Sequence, residues 1–379
     1  MYKKGHIQEF FESVRPRQQL PLAEGLGVSP TEYAHAVKLY AQFKKGEVPL
    51  NPYFFEAMSL DAFPLLFRDI LSREALGLYK HFPKSWPMYF RRGRSTDYRK
   101  TSRFQMDGAE KPLDQVRAQQ LISEEELTEK EYQYQVQDHA RIVSMSTQVM
   151  KNNDLDTFNQ LPFRLMNAAA RTEEQIAAKT LCDTNGPHAT HFTAANNNIV
   201  TGNPALTSAS LKTAIGQLLS QVDEEGEPIA IHGYCLVVGP TLLQDAQRII
   251  EGMEVRVTPS GSTETLVAPV ISTMHESAAS MRPRVAMNPY IPRVATTNGD
   301  TTWFLIGDPN AGRAAGEIVF LDGMEDPSVT YQESDIANGR GFEAMAQFDT
   351  NLIRARVLHT VGGGFQDARC AIGSNGSGG

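Results

Sequence analysis

The stretch 124–137, EEELTEKEYQYQVQ, contains the pattern that decides the fold. Residues 124–131 hold five glutamates and one lysine, and apolar and polar residues then alternate from Tyr132 to Gln137. An alternation with a period of two is typical of a strand with one buried face. The acidic start predicts that this strand belongs to an extended loop that reaches outward.

A long helix is predicted directly after this loop, in residues 154–181. Asn152, Asn153 or Asp154 can cap it. Pro162, which lacks an N–H, predicts a kink or a late start. An extended loop that feeds a long helix makes contacts with neighbouring chains more naturally than it makes a catalytic pocket. The apolar face is formed by Phe158, Leu161, Leu165, Ala169 and Ile176.

Length and composition indicate a folded protein of two or three domains. The 379 residues allow this number at about 150 residues per domain. The net charge of −8 argues against a protein whose whole surface binds nucleic acid. No apolar run approaches the length of about 20 residues that crosses a membrane.

The chain has three widely spaced cysteines, Cys182, Cys235 and Cys370. An odd number of cysteines at such spacing is a poor disulfide framework, which predicts assembly in a reducing cytoplasm.

Residues 1–105 are rich in proline, aromatic residues and arginine, and they predict an N-terminal arm with short helical pieces. Six basic residues at its end, in 91–103, stand against one acid, Asp97. Three interpretations are open: contacts with nucleic-acid phosphates, pairing with the acidic segment of another subunit, and a solvated charged face. The opposite charges favour the subunit contact over the nucleic-acid contact. The candidate intersubunit residues are therefore Arg91, Arg92, Arg94, Arg99, Arg103, Glu124, Glu125, Glu126, Glu129 and Glu131.

The second half of the chain first alternates helices and strands and then becomes rich in strands. The glycine run 362–364 predicts a turn or bulge between two strands, and 373–379 predicts a flexible tail. The Gly/Ser/Thr-rich residues 258–265 predict a mobile surface loop. Helices are expected at 208–222 and 241–251, and strands at 233–238, 302–306, 317–321 and 352–361.

One group of residues has the chemistry of a metal site without its usual spacing. Cys182, Asp183, His188 and His191 are zinc-type ligands, but they match no established pattern and follow a helix in a polar loop. Local hydrogen bonding is the expected role of these side chains. No nucleophile elbow, HExxH or phosphate-binding glycine motif occurs. We therefore expect no catalytic residue, cofactor or metal.

The order of these features resembles the major capsid proteins of tailed phages, which have the Hong Kong ninety-seven-type fold. Within that group the chain is most similar to the Mu-like major head subunit type. No single motif carries the likeness; the order and spacing of four segments do. These segments are 153–175, 236–250, 303–326 and 351–372.

The resemblance implies an α+β fold with an N-terminal arm, an extended loop, a peripheral domain with a long spine helix, and an axial domain. The arm would span 1–105 and the extended loop 106–140. The peripheral domain would combine 141–205 with 315–350. The axial domain and C-terminal strands would combine 206–314 with 351–379.

The resemblance also implies a structural function without catalysis. Copies of the chain would assemble in the host bacterial cytoplasm into hexamers and pentamers of an icosahedral shell around double-stranded DNA. Scaffolding and portal proteins would be further partners, and some members cross-link subunits through lysine, for which Lys111 or Lys130 would serve here. An encapsulin-type nanocompartment shell is the alternative with the same fold. A soluble α/β enzyme built on 206–310 is the alternative from another class.

Overall fold

A computed structural model describes the chain in two compact units, each mixing helices with strands. The first unit contains the described parts of 1–82, 140–169 and 326–359, and the second those of 83–139, 170–325 and 360–379. The α+β class predicted from the sequence is confirmed. The described residues are 76–107, 115, 128–146, 148, 155–223, 226–231, 233–251, 283–310, 312–332 and 346–378.

The regular elements of these residues follow each other in an order close to the predicted one. The helices are α1 (Leu155–Leu181), α2 (Ser208–Leu219), α3 (Leu243–Glu251) and α4 (Ile291–Val294). The first strands are β1 (Arg91–Ser95), β2 (Thr101–Asp107), β3 (Thr128–Tyr134), β4 (Gln137–Ser146), β5 (Cys182–Asp183) and β6 (Gly186–Pro187). The later strands are β7 (Tyr234–Val238), β8 (Arg284–Met287), β9 (Trp303–Gly307), β10 (Gly316–Leu321), β11 (Ser328–Tyr331), β12 (Leu352–Phe365) and β13 (Ala371–Ser374).

One sheet has the strand order β1-β10-β12-β11, and β4 also pairs with β12. The strand β1 runs parallel to β10, while β12 is antiparallel to β10 and to β11. Every residue of β10 is buried, in agreement with the continuous apolar run from Ile318 to Leu321. Residues 91–95, at the end of the predicted arm, thus form a strand of this sheet.

A second sheet has the order β13-β9-β7-β8. Its central strands β7 and β9 are buried along their whole length, as their unbroken apolar sequences indicate. One face packs into a core with Leu211 and Leu218 of α2 and Ala246 of α3. Thr207 begins α2 with a capping box in which its side chain accepts from the Ser210 N–H.

The long helix α1 begins at Leu155. Of the two outcomes predicted for Pro162, the late start is therefore wrong, and the kink stays a prediction. Proline removes one hydrogen bond and crowds the carbonyl four residues earlier, yet the helix continues on both sides of it. Leu165 and Ala169 of the predicted apolar face are buried, and Ile176 packs against the core of the second unit. No helix among the described residues is both long and apolar enough to cross a membrane.

The glycine run 362–364 lies inside strand β12, so the prediction of a turn or bulge is wrong. These residues pair with β10 in register, Gly363 opposite Ile318. A Cβ on Gly363 would lie 2.6 Å from Ile176 Cγ2, and one on Gly364 would lie 2.8 Å from Tyr134 Cβ. The glycines are therefore needed because other parts of the chain approach this strand closely.

The C-terminal residues are bound to the second sheet, so the predicted flexible tail is wrong for residues 373–378. The Gly373 N–H donates to the Asn198 carbonyl at 2.9 Å, and the Gly378 N–H donates to the Asn203 carbonyl at 2.8 Å. Gly376 has a φ of 65°, a conformation that other residues rarely adopt. Backbone hydrogen bonds to 198–203 therefore fix a segment whose composition indicated mobility.

Some expectations fall outside the described residues. These concern residues 1–75 of the arm, Glu124, Glu125 and Glu126 of the acidic segment, Lys111, and the loop 258–265. The domain boundaries also stay a prediction.

Candidate intersubunit site

Strands β2 and β3 form a two-stranded antiparallel ribbon that belongs to neither larger sheet. The register runs from Thr101 opposite Tyr134 to Asp107 opposite Thr128. The alternation at 132–137 thus predicted a strand at the right place, although β3 starts earlier and ends at Tyr134. A two-stranded ribbon alone is marginally stable in water, so its two faces need contacts.

The inner face of the ribbon contacts the rest of the second unit through polar side chains. Arg103 Nη2 donates to Glu317 Oε1 at 2.9 Å, and Gln105 Nε2 donates to Asp367 Oδ2 at 3.1 Å. At the base of the ribbon Tyr134 is buried with Val136 and Val319. The inner face is therefore held within the chain.

The outer face of the ribbon is formed by the positions that alternate with these, among them Ser102, Phe104, Glu129, Glu131 and Gln133. Residues directly opposite each other in an antiparallel pair point to the same side, so Phe104 shares this face with Glu131. The Phe104 side chain is 62% exposed. Hydrogen bonds from Ser102 and Gln133 fix the Glu131 carboxylate and lower its pKa below the usual range. Aromatic side chains are enriched in protein interfaces, so this exposed ring beside the oriented Glu131 carboxylate makes the outer face a candidate for contact with another chain.

The arginines predicted to pair with another subunit mostly have partners inside this chain. Arg91 donates to the Pro309 carbonyl at 3.1 Å, and Arg94 Nε lies 2.9 Å from Glu325 Oε1. The Arg92 guanidinium lies over the Phe320 ring, 4.8 Å from its centroid. The Arg99 side chain is exposed, while its backbone N–H donates to Asp97. Together with the Arg103–Glu317 pair, these contacts give four of the five predicted arginines a side-chain partner within the chain.

Glu317 is a fully buried carboxylate at the centre of these contacts. Besides Arg103, Gln366 Nε2 donates to it at 2.6 Å. Burial raises the pKa of Glu317, and Arg103 and Arg91 oppose this shift. A Cβ on Gly93 of the neighbouring strand would clash with the Glu317 carboxylate, so a glycine at that position makes room for it. A buried charge with dedicated partners marks a position at which the fold is held in one geometry.

Two further buried carboxylates, those of Glu173 and Glu174 of α1, hold the segment before β1. Lys84 Nζ lies 2.9 Å from Glu173 Oε2, and the Trp86 indole donates to the same oxygen at 2.8 Å. Glu174 accepts from the Ser85 hydroxyl at 2.6 Å and from the backbone N–H groups of Ser85 and Trp86. Burial raises the pKa of Glu174 despite these donors. The end of the predicted arm is thus tied to the spine helix.

Three of the four zinc-type residues, Asp183, His188 and His191, make local contacts. Asp183 accepts from the N–H groups of Asn185 and Ala189, each at 2.8 Å. The His191 ring stacks on Phe365 with 4.4 Å between centroids and on His188 with 4.6 Å. Burial, and secondarily His188, lowers the pKa of His191 to about 4. Within the described ranges, no group of ligating side chains is arranged to hold a metal ion.

The three cysteines are free and buried. Burial raises the pKa of the Cys235 thiol to about 12 and that of Cys182 further still. Thiols held in this protonated form are poor nucleophiles.

Several residues of this site were not predicted from the sequence, Phe104 and Glu317 among them. A glutamate at the start of the buried strand EIVFL is the signal that could have identified Glu317, because a charge in an apolar run needs a partner. Phe104 carries no such signal, since a single exposed aromatic residue is common in sequences.

A model of the family described as phage capsid protein matches residues 129–373. No curated protein matches the chain. Among solved structures, one from Mycobacterium phage Ogopogo is similar with 13% identity and a TM-score of 0.44, covering 76% of this chain and 91% of that one. One from Microbacterium phage Oxtober96 has 12% identity and a TM-score of 0.46, covering 77% and 91%. The capsid of cyanophage P-SCSP1u has 16% identity and a TM-score of 0.43, covering 76% and 85%.

Proposed function

Since the chain belongs to the phage capsid protein family, we propose that its copies form the hexamers and pentamers of an icosahedral shell around double-stranded DNA. The protein is a structural component of the virion capsid, and it associates with itself. We propose further that it has no catalytic role and that it assembles in the bacterial cytoplasm. The three free cysteines support assembly in a reducing compartment, and the raised pKa values of Cys182 and Cys235 make these two thiols poor nucleophiles.

The observation that supports the contact between copies is the two-sided ribbon of β2 and β3. Its inner face is held by Glu317 and Asp367, whereas its outer face exposes Phe104 beside Glu131. A neighbouring copy that covers the outer face would remove this ring from water. It would also give the second face of the two-stranded ribbon the contacts that such a ribbon needs. The proposed contact uses Glu129 and Glu131 of the predicted residues, with Phe104 as its apolar centre.

We keep as a proposal the predicted contact of the basic run with the acidic segment of another copy, but with fewer arginines. Arg99 is the arginine best placed for it, because it is exposed and lies outside the strands. Arg91, Arg92, Arg94 and Arg103 already have partners in this chain. For the same reason, we propose that the packaged DNA is contacted non-specifically and weakly by this run. Scaffolding and portal proteins are further proposed partners.

Changing the outer face should stop assembly and leave the subunit folded. We expect the double variant Phe104→Ser with Glu131→Lys to lose closed shells, because it removes the apolar centre and reverses a charge. Both side chains are exposed, so the free energy of unfolding should change by about 1 kcal/mol or less. Sedimentation and electron microscopy measure assembly, and circular dichroism with thermal unfolding measures folding.

The matched control is Met324→Ser, which removes another exposed apolar side chain, in the turn after β10. This variant should form normal shells. Normal shells from the double variant would contradict the proposed contact.

A further inference from the structure

The two hydrogen bonds of the inner face come from neighbouring positions on one strand and end on rigid acceptors. Arg103 and Gln105 belong to β2, while Glu317 and Asp367 belong to the body of the second unit. Glu317 is fully buried and also accepts from Gln366. Asp367 is fixed by the Arg369 N–H, which donates to its Oδ1 at 3.0 Å, and by Arg313, whose Nη1 lies 3.6 Å from Oδ2.

The donors and the acceptors differ in their freedom to move. The Glu317 side chain is inaccessible to water, whereas the Arg103 side chain is 43% exposed. Glu317 is also bound by Gln366, and Asp367 by Arg369 and Arg313, so both acceptors have partners outside the ribbon. The donors are long side chains on an otherwise separate ribbon. A buried carboxylate that lost Arg103 would keep only a neutral amide donor, so the docked orientation of the ribbon is strongly favoured.

Below these contacts, the base of the ribbon packs against strand β12. Gln135 and Val136 connect β3 to β4 and pass over the glycines of β12, where a Cβ on Gly362 would lie 2.8 Å from the Gln135 carbonyl carbon. Tyr134 is buried at this point, and the Arg103 guanidinium lies 5.9 Å from its ring centroid. The ribbon is thus held at its base by packing and farther out by the two hydrogen bonds.

We propose that Arg103–Glu317 and Gln105–Asp367 form a latch that sets the direction in which the ribbon leaves the body, and with it the orientation of the outer face. This inference rests on the proposed contact between copies, for which the latch positions Phe104, Glu129 and Glu131. The latch residues are positioning residues, since they lie on the inner face and do not meet the neighbouring copy themselves.

Distance measurements between two spin labels test the latch in the full-length chain. The three native cysteines are buried, so labels can be directed to Glu129→Cys on the ribbon and Asp322→Cys at the end of β10. The labelled chain, diluted with an excess of unlabelled chain so that distances between copies do not contribute, should give one narrow distance distribution. In Arg103→Ala with Gln105→Ala the distribution should broaden, and the population at the original distance should fall about tenfold or more, as expected for the loss of one charge-assisted and one neutral hydrogen bond.

Three further variants make the result specific. Adding Glu317→Gln removes the unpaired buried charge, so the latch can be tested even where the first variant folds poorly. Arg103→Lys keeps a positive charge and should restore part of the narrow distribution. Arg99→Ala with Gln133→Ala removes the same side-chain types outside the latch and should leave the distribution narrow.

If the folded latch variants keep a narrow distance distribution, the latch is refuted. This conclusion holds whether or not these variants form shells. The test is separate from that of the contact between copies. If Phe104→Ser with Glu131→Lys forms normal shells while the latch variants broaden the distribution, the contact is wrong and the latch stands.

Discussion

Replacing Leu165 with aspartate should leave most of the chain insoluble. Leu165 is 2% exposed on α1, in the helical face that the sequence predicted to be buried. An aspartate there would bury a charge and lose the packing of a leucine, at a cost of about 3–5 kcal/mol. This is comparable with the total stability of many domains. The soluble fraction after expression and the urea midpoint of the soluble material measure the effect.

The control lies two residues away on the same helix. Phe163 is 38% exposed, and Phe163→Asp should keep the chain soluble with a loss of about 1 kcal/mol or less. Equal solubility of the two variants would show that the face with Leu165 is not part of a core.

Alanine at Gly362 should destabilise the chain by about 2–4 kcal/mol. Its Cβ would clash with the Gln135 carbonyl oxygen and lie 3.0 Å from Val136 Cα. These are backbone atoms, which cannot move aside as the end of a flexible side chain can. Thermal or urea unfolding of the purified variant measures the loss.

The same substitution elsewhere should have the opposite effect. Gly216 lies inside helix α2, and a Cβ there meets nothing within 4 Å. Gly216→Ala should therefore stabilise the chain by about 0.5–1 kcal/mol, because alanine favours the helix and restricts the unfolded chain. A Gly362→Ala variant as stable as the parent would refute the close approach at β12.

Local sequence patterns predicted where the helices and strands lie better than they predicted which distant segments contact them. The continuous apolar sequence of β7 and the periodicity of α1 gave elements whose bounds differ from the predicted ones by a residue or so. These signals are local because a buried strand or helix face needs apolar residues at a fixed period. The predicted relation to phage capsid proteins is confirmed by the family match, while the Mu-like type stays a prediction.

The failed predictions depended on partners that are distant in the sequence. Gly362 and its neighbours had the composition of a turn, but β10 pairs with them and 134–136 approaches them. The tail after Gly373 had the composition of a linker, but residues 198–203 bind it. The predicted contact of the arginines at 91–103 with another subunit stays a prediction, although Glu317 and Glu325 of the same chain lie beside Arg103 and Arg94. Composition cannot indicate which distant segment will pair with a strand or form an ion pair with a charged side chain.

The electron microscopy structure of particles formed by the full-length chain tests the central claim most directly. The account predicts closed shells of hexamers and pentamers, in which the Phe104 ring of each copy is covered by a neighbouring copy. It also predicts that Arg103 stays paired with Glu317 of its own chain. A small oligomer of one size with a defined pocket would contradict the shell, and shells with the outer face of the ribbon open to solvent would contradict the contact between copies.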